Sequence, residues 1–128
     1  PRMMTVQYPR IFSEFEANWE RRDLNLVAKV DEEVAGYLSI PRMVNPKIAW
    51  ISDLAVNTRF RRMGVATALV NAVRIWAANN DCQKIMLEMT SKNFPTIEFA
   101  RHLGFDYCGY NDSYYSNFDI AVFYSKNI

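Results

Sequence analysis

Residues 53 to 70 read DLAVNTRFRRMGVATALV and lead from an apolar segment through an arginine-rich turn into an amphipathic stretch. After the turn, apolar residues recur at helical spacing at Val65, Leu69 and Val73, which predicts a helix that begins near Gly64. The first turn of a helix has unpaired N–H groups and partial positive charge. Gly64 lacks a Cβ, so a phosphate group could approach its backbone closely. This order of elements therefore predicts an anion site at the helix start.

Three arginines, Arg59, Arg61 and Arg62, surround this predicted helix start. Arg61 and Arg62 would add positive charge and forked hydrogen-bond donors, which suit a pyrophosphate. The alternative is a solvated helix start in which Gly64 is an ordinary turn residue. The pattern is neither that of a P-loop nor the G-x-G-x-x-G dinucleotide fingerprint. The residues themselves therefore predict a phosphate-binding helix start without a particular nucleotide.

The composition predicts one globular domain over residues 1–128, with 50% hydrophobic and 23% charged residues. The formal net charge of +1 argues against a nucleic-acid partner. No apolar run approaches the roughly 20 residues of a membrane span, and no signal-peptide pattern is recognisable, so we expect a cytoplasmic protein. Cys82 and Cys108 are expected to be free thiols, and with His102 as the single histidine we expect no metal site.

Strand-like and helix-like segments alternate along the chain. The strand-like segments are LNLVAKV (24–30), VAGYLSI (34–40), KIAWISDLAV (47–56), KIMLEMT (84–90), FDYCGY (105–110) and DIAVFYSK (119–126). Further helices are predicted in PRIFSEFEANWERR (9–22) and NFPTIEFARHL (93–103). This alternation predicts a mixed α/β or α+β fold, with one central sheet flanked by helices.

The stretch DLAVNTRFRRMGVATALV resembles the acyl-CoA motif of the GNAT N-acetyltransferase superfamily. The family pattern is Arg or Gln, two residues, Gly, one residue, then Gly or Ala, and Arg61, Gly64 and Ala66 match it. NFPTIEFARHLGF is similar to the second family signature, and the ending DIAVFYS is most similar to streptothricin acetyltransferases. The resemblance covers roughly residues 24–125. It implies a GNAT-like mixed sheet flanked by helices, acetyl-CoA as the cofactor and an amine as the acetyl acceptor.

The resemblance also implies which residues hold the cofactor. Backbone groups on the strand before the turn would hold the pantetheine arm, and N–H groups from Arg62 to Ala66, with the Arg61 side chain, would hold the pyrophosphate. Thr67 would add a hydroxyl group, and Asn93 would contact the cofactor where two middle strands separate. Phe99 would line the acyl channel or belong to the core. The complete expected set is Leu54, Ala55, Val56, Arg61, Arg62, Met63, Gly64, Val65, Ala66, Thr67, Asn93 and Phe99.

Acetyl transfer to an amine needs a base for the amine, a donor for the oxyanion and an acid for the departing thiolate. The family uses a carboxylate on a central strand as the base, and Asp53 and Glu88 are the candidates here. Asp53 could instead cap a turn or bulge, and Glu88 could be a structural hydrogen-bond partner. The backbone N–H of Leu54 is the expected donor to the thioester carbonyl.

The sequence departs from the family at the acid, because Ala100 stands where the family has a tyrosine. Water could protonate the thiolate, or a tyrosine among Tyr107, Tyr110, Tyr114 and Tyr115 could replace the missing one. Alternatively, the chain is a non-catalytic acyl-CoA-binding or interaction module. The polar and aromatic segment NDSYYSNF (111–118) is expected to face the substrate.

The segment before residue 24 is shorter than the family's usual strand and two helices. We therefore expect the family's first strand and a helix to be missing, and a partner such as a second copy in a homodimer could cover the exposed edge. The favoured acceptor is a small cationic amine of the streptothricin kind. A protein N-terminus or a lysine is left open.

Overall fold

The computed structural model describes residues 4–7, 24–41 and 45–128. Strands in these ranges alternate with two helices and a short 3-10 turn at Thr58–Phe60. The helices are α1 (Val65–Asn79) and α2 (Phe94–His102). The strands are β1 (Met4–Gln7), β2 (Leu24–Val30), β3 (Glu33–Ile40), β4 (Ile48–Ile51), β5 (Asp53–Val56), β6 (Lys84–Thr90), β7 (Asp106–Asn111) and β8 (Ala121–Asn127).

The strands form two four-stranded sheets, in the orders β1-β2-β3-β5 and β4-β6-β8-β7. All pairs are antiparallel except β4 with β6, which is parallel. The predicted mixed fold of strands and helices is thus confirmed, but the single central sheet that we expected is divided in two.

The division occurs at Ser52, inside the segment predicted as one strand over residues 47–56. Before this residue β4 pairs with β6, and the last pair joins Ile51 to Leu87. After it β5 pairs with β3, and the Ser52 N–H donates to the Ser39 carbonyl at 3.1 Å. Strands β5 and β6 therefore belong to different sheets, and β5 does not continue the pairing of β4 with β6 beyond Ile51.

Helix α1 joins the two sheets, because it contacts strands of both. Its buried face includes Leu69, Val73 and Trp76. Strands β2 and β6 each present alternate buried residues to the core, as expected for strands with one exposed face. The buried apolar side chains of both sheets and both helices form one cluster.

The expected loss of the first strand is wrong. Strand β1 precedes β2 and pairs with it, with Met4 opposite Val30. The helix predicted over residues 9–22 lies outside the described residues.

Gly36 allows β3, β5 and the start of α1 to approach one another. A Cβ at this buried position would lie 2.7 Å from the Ala55 carbonyl oxygen and 3.1 Å from Cγ1 of Val65. A side chain would therefore push β5 or α1 away, and both elements border the cavity described next.

Candidate functional site

A cavity of about 750 Å³ lies between β5 and the starts of α1 and α2. All residues of the expected cofactor set except Met63 line it. Met63 is exposed, and its side chain lies outside the lining. The sequence analysis missed Phe60, Pro95, Thr96 and Glu98, which complete the lining.

The start of α1 contributes backbone donors to this cavity. Gly64 is the N-cap residue with a φ of 78°, a left-handed conformation, and no side chain of a described residue caps the helix there. A Cβ on Gly64 would meet no atom of the described residues within 4 Å, so they leave open space beside this glycine. Uncapped N–H groups, the helix dipole and open space together suit an anionic group.

The three arginines have different surroundings. Arg59 forms an ion pair with Glu33 and does not line the cavity. Arg61 and Arg62 line the cavity, are exposed, and form no ion pair with another described residue. Two of the three guanidinium groups are thus available to an anion at the helix start.

Strand β5 forms one wall of the cavity through Leu54, Ala55 and Val56. Among the described strands only β3 pairs with it, so β5 forms an edge of its sheet. Its free edge therefore offers backbone donors and acceptors to an extended chain that contains amides.

Asn93 and Phe99 each combine a structural role with a place in the lining. The Asn93 side chain accepts a hydrogen bond from the Thr96 N–H at 3.3 Å and so caps α2. Phe99 is half-buried, packs against the core and also lines the cavity. For Phe99, the core and the channel interpretations are therefore compatible.

Glu88 accepts hydrogen bonds from three side chains. Its Oε1 atom accepts from the Trp50 indole at 3.0 Å and from the Tyr114 hydroxyl at 3.3 Å. Its Oε2 atom accepts from the Tyr115 hydroxyl at 3.2 Å. Because a carboxylate offers roughly four acceptor positions, one position on Oε2 is left for a further donor.

Aromatic rings surround this carboxylate. Phe123, opposite Glu88 in the register of β6 and β8, lies edge-on to Trp50 and to Tyr114, with ring centroids 5.6 and 6.0 Å apart. The rings of Tyr114 and Tyr115 also meet edge-on, at 5.1 Å. We call Trp50, Glu88, Tyr114, Tyr115 and Phe123 the Glu88 cup.

Comparison with known proteins identifies the family. Residues 2–105 match the model of the acetyltransferase (GNAT) family. The chain belongs to this family. The chain is also 30% identical, over 94 residues, to N-alpha-acetyltransferase 30 of Xenopus laevis. That match covers 71% of the chain but only 34% of the relative, so the chain spans about a third of the length of this protein.

Solved GNAT-like structures share the fold. Ard1 from Thermoplasma volcanium has a TM-score of 0.81 at 21% identity, over 98% of this chain and 97% of that one. A GNAT family acetyltransferase from Elizabethkingia anophelis with acetyl-CoA bound has a TM-score of 0.77 at 12% identity, over 98% of both chains. Nourseothricin acetyltransferase has a TM-score of 0.77 at 25% identity, over 84% of this chain and 66% of that one. The streptothricin-like resemblance thus identifies one kind of GNAT neighbour among several.

Ala100 stands at the position where the resemblance to the GNAT family implies a tyrosine. It is 0% exposed and belongs to the core, so its methyl group reaches neither solvent nor the cavity. Tyr107 and Tyr110 are exposed on β7 and lie outside the cup. Tyr114 and Tyr115 are the candidate tyrosines that contact a carboxylate.

Both cup tyrosines are held in the protonated form. Burial, followed by the negative charge of Glu88, raises the pKa of Tyr115 and of Tyr114 above the ordinary value of 10.0. The charge of Asp53 adds to the rise of the Tyr115 pKa. At neutral pH both phenols therefore keep the proton that they donate to Glu88.

Asp53 lies at the start of β5, close enough to affect Tyr115 but exposed. Its Oδ2 atom accepts a long hydrogen bond, 3.4 Å, from the Ser52 hydroxyl. Of the two candidate bases, Glu88 thus has more hydrogen-bond partners, while the charge of Asp53 acts on Tyr115.

The two cysteines and the single histidine lie outside the cavity lining. Cys108 is an exposed free thiol, whereas Cys82 is buried and its Sγ donates to the Pro46 carbonyl at 3.6 Å. His102 is exposed on α2, and no group of three or more metal-ligating side chains occurs in ranges 4–7, 24–41 and 45–128. Within the same ranges, no helix is long and apolar enough to cross a membrane.

Proposed function

We propose that this protein is an acetyl-CoA-dependent N-acetyltransferase whose acceptor is a primary amine. The observation that carries the proposal is the separation of β5 from β6 beyond Ile51. Leu54, on the cavity wall, and Glu88, in the cup, both follow within three residues of the last pair between these strands. A cavity wall suited to a phosphate-bearing arm and a strand segment that carries a hydrogen-bonded carboxylate thus both begin at this junction.

The cofactor is assigned to the cavity by the character of its walls. Uncapped N–H groups at the start of α1, with Arg61 and Arg62, would bind the pyrophosphate. The free edge of β5 would bind the pantetheine arm, and the Leu54 N–H would donate to the thioester carbonyl. Acetyl-CoA, when bound, supplies the acetyl thioester.

The Glu88 cup would supply the base and the acid of the reaction. The open position on Oε2 of Glu88 would take the proton of the acceptor amine, directly or through a water molecule. The hydroxyl of Tyr114 or Tyr115 would protonate the departing thiolate, in place of the tyrosine that Ala100 replaces. Glu88 would then return its proton to the phenolate along their hydrogen bond, and both groups would regain their starting forms.

The relatives favour the α-amino group of a polypeptide as the acceptor, since the 30% identical protein is named an N-alpha-acetyltransferase. The second candidate is a small cationic amine, as first expected. It is favoured by the 25% identity with nourseothricin acetyltransferase and by the carboxylates of Glu88 and Asp53. A panel of short peptides with free N-termini, tested beside cationic aminoglycosides and polyamines, separates the two.

The test combines calorimetry of acetyl-CoA binding with thiol release in the presence of each amine. We expect binding and turnover, and Glu88→Gln should lower turnover about 100-fold or more at near-normal acetyl-CoA affinity. Asp53→Asn also removes one negative charge, and it should lower turnover far less than Glu88→Gln. Binding without turnover on either panel would instead favour the non-catalytic acyl-CoA-binding module, and absence of binding would overturn the proposal.

A further inference from the structure

The β7–β8 loop, residues 112–120, carries both tyrosines of the Glu88 cup. Asp119 organises this loop through its backbone, because its carbonyl accepts from the N–H groups of Tyr114 at 3.1 Å and Tyr115 at 3.4 Å. Asp119 also forms two hydrogen bonds with the Asn117 side chain, each 3.1 Å long. The backbone of both tyrosines is thus hydrogen-bonded to the backbone of Asp119.

The Asp119 carboxylate ties the loop to the junction between β6 and α2. Its Oδ1 atom accepts from Nζ of Lys92 at 2.9 Å, and the neighbouring Ile120 carbonyl accepts from the Ser91 N–H, also at 2.9 Å. The hydrogen bond from Lys92 lowers the pKa of Asp119, so this carboxyl group stays charged at neutral pH.

This junction also borders the predicted cofactor cavity. Lys92 directly precedes Asn93, which caps α2 and lines the cavity. A continuous series of contacts therefore connects the cavity wall through Lys92 and Asp119 to Tyr114 and Tyr115 on Glu88.

We propose that Asp119 is a positioning residue, whose pairing with Lys92 holds Tyr114 and Tyr115 against Glu88 in the geometry needed for acetyl transfer. This inference rests on the proposed function. It assigns Asp119 no contact with the substrates, so its loss should affect the acceptor step and leave acetyl-CoA binding intact.

The direct readout is the ionisation of the two phenols. While the loop is fixed, the pKa of Tyr114 and of Tyr115 lies above 10.0 because of burial and Glu88. Release of the loop would move both phenols away from the carboxylate, and their ionisation would shift toward the ordinary tyrosine range of about pH 10. A general loss of stability would not produce this shift in a chain that is still folded.

The experiment compares wild type with Asp119→Ala, Lys92→Met and the double variant. Asp112→Asn is the matched control, because Asp112 is an exposed carboxylate on the same loop with no hydrogen bond or ion pair to the described residues. Tyrosinate absorbance is followed during alkaline titration, circular dichroism confirms the fold, and calorimetry gives the acetyl-CoA affinity. Steady-state kinetics gives kcat and KM for the acceptor.

Asp119→Ala and Lys92→Met should each shift tyrosine ionisation to lower pH and lower kcat/KM for the acceptor about tenfold or more, since small misplacements cost this much. The double variant should lose little more than Asp119→Ala, because the interaction that Lys92→Met removes is already lost in Asp119→Ala. Acetyl-CoA affinity should change less than about twofold.

An unshifted titration in Asp119→Ala, or a shift without loss of kcat/KM, overturns the positioning role. Absence of wild-type turnover would instead contradict the proposed function, while the titration would still test the loop contact.

Discussion

Gly64 and Glu88 show how single residues define the two halves of the candidate site. Gly64 places the first turn of α1 beside open space by adopting a left-handed conformation. Glu88 gathers donors from β4 and from the β7–β8 loop, which lie far apart in the chain. Gly64 thus leaves space at a helix start, and Glu88 brings together the hydrogen-bonding groups of the cup.

Gly64→Ala should weaken acetyl-CoA binding and leave the chain folded. The left-handed backbone costs a residue with a Cβ about 1–2 kcal/mol, and the new methyl group would occupy the space assigned to the phosphate. Gly104→Ala is the matched control, because Gly104 has a φ of 83° and lies outside the cavity lining. Denaturation should show similar destabilisation in both variants, whereas calorimetry should show weaker binding only in Gly64→Ala. Equal affinities would contradict the phosphate assignment.

Glu88→Gln should lower the pKa of Tyr114 and Tyr115, because the charge that opposes their ionisation is removed. In wild type the raised pKa means that the folded chain keeps protons that the unfolded chain loses above about pH 10. Stability is therefore expected to fall as pH rises through 10, and the variant should show a smaller fall. Tyrosinate absorbance and denaturation at several alkaline pH values measure the two effects. Identical titration curves for both proteins would contradict the contact.

At the level of secondary structure, the chain changes its pairing partner at Ser52, next to the strand that forms one wall of the cavity. Strand β4 pairs with β6, whereas β5 pairs with β3. The pairing of β4 with β6 therefore does not continue into β5. The approach of β5 to β3 and α1 depends on Gly36, which has no side chain to keep them apart.

Gly36→Ala should destabilise the fold and disturb the cavity wall together. A Cβ would lie 2.7 Å from the Ala55 carbonyl oxygen, and overpacking of this kind costs about 1–3 kcal/mol. Val34→Ala on the same strand is the control, since Val34 is 53% exposed. We expect lower denaturant midpoints and weaker acetyl-CoA binding for Gly36→Ala alone. Wild-type values for that variant would exclude the close approach.

At the scale of the whole molecule, α1 unites the two sheets into one packed structure. It contacts β1 to β6, and its buried side chains belong to the same cluster as those of both sheets. The prediction of one domain over residues 1–128 therefore implies that both sheets unfold together.

Leu69→Ala should lower the free energy of unfolding by about 2–5 kcal/mol, because Leu69 is 0% exposed on the buried face of this helix. Ile75→Ala is the matched control on the same helix, where Ile75 is 66% exposed, and it should have little effect. Denaturation followed by circular dichroism and by tryptophan fluorescence should give one coincident transition for each protein. Separate transitions would contradict a single cooperative domain.

Most of the elements, and the prediction of an anion site at the helix start, follow from local patterns. Alternating apolar residues predict β2 and β6, apolar residues at helical spacing predict α1, and a glycine with arginines predicts an anion site. Each signal lies within a few neighbouring residues, where backbone preference and side-chain spacing act. The other expected cavity residues, among them Met63, come from the resemblance to the GNAT family, and all of them except Met63 line the cavity.

Local patterns in the amino-acid sequence thus predict the described elements from β2 onward and a helix start of the kind that binds anions, but they did not predict β1. The division at Ser52, the close approach at Gly36 and the Glu88 cup follow instead from tertiary packing. The cup joins Glu88 to Trp50, 38 residues away, and to Tyr114 and Tyr115, 26 and 27 residues away. Contacts over such distances depend on strand register and on the packing of α1 across both sheets, and no local pattern of residues encodes either.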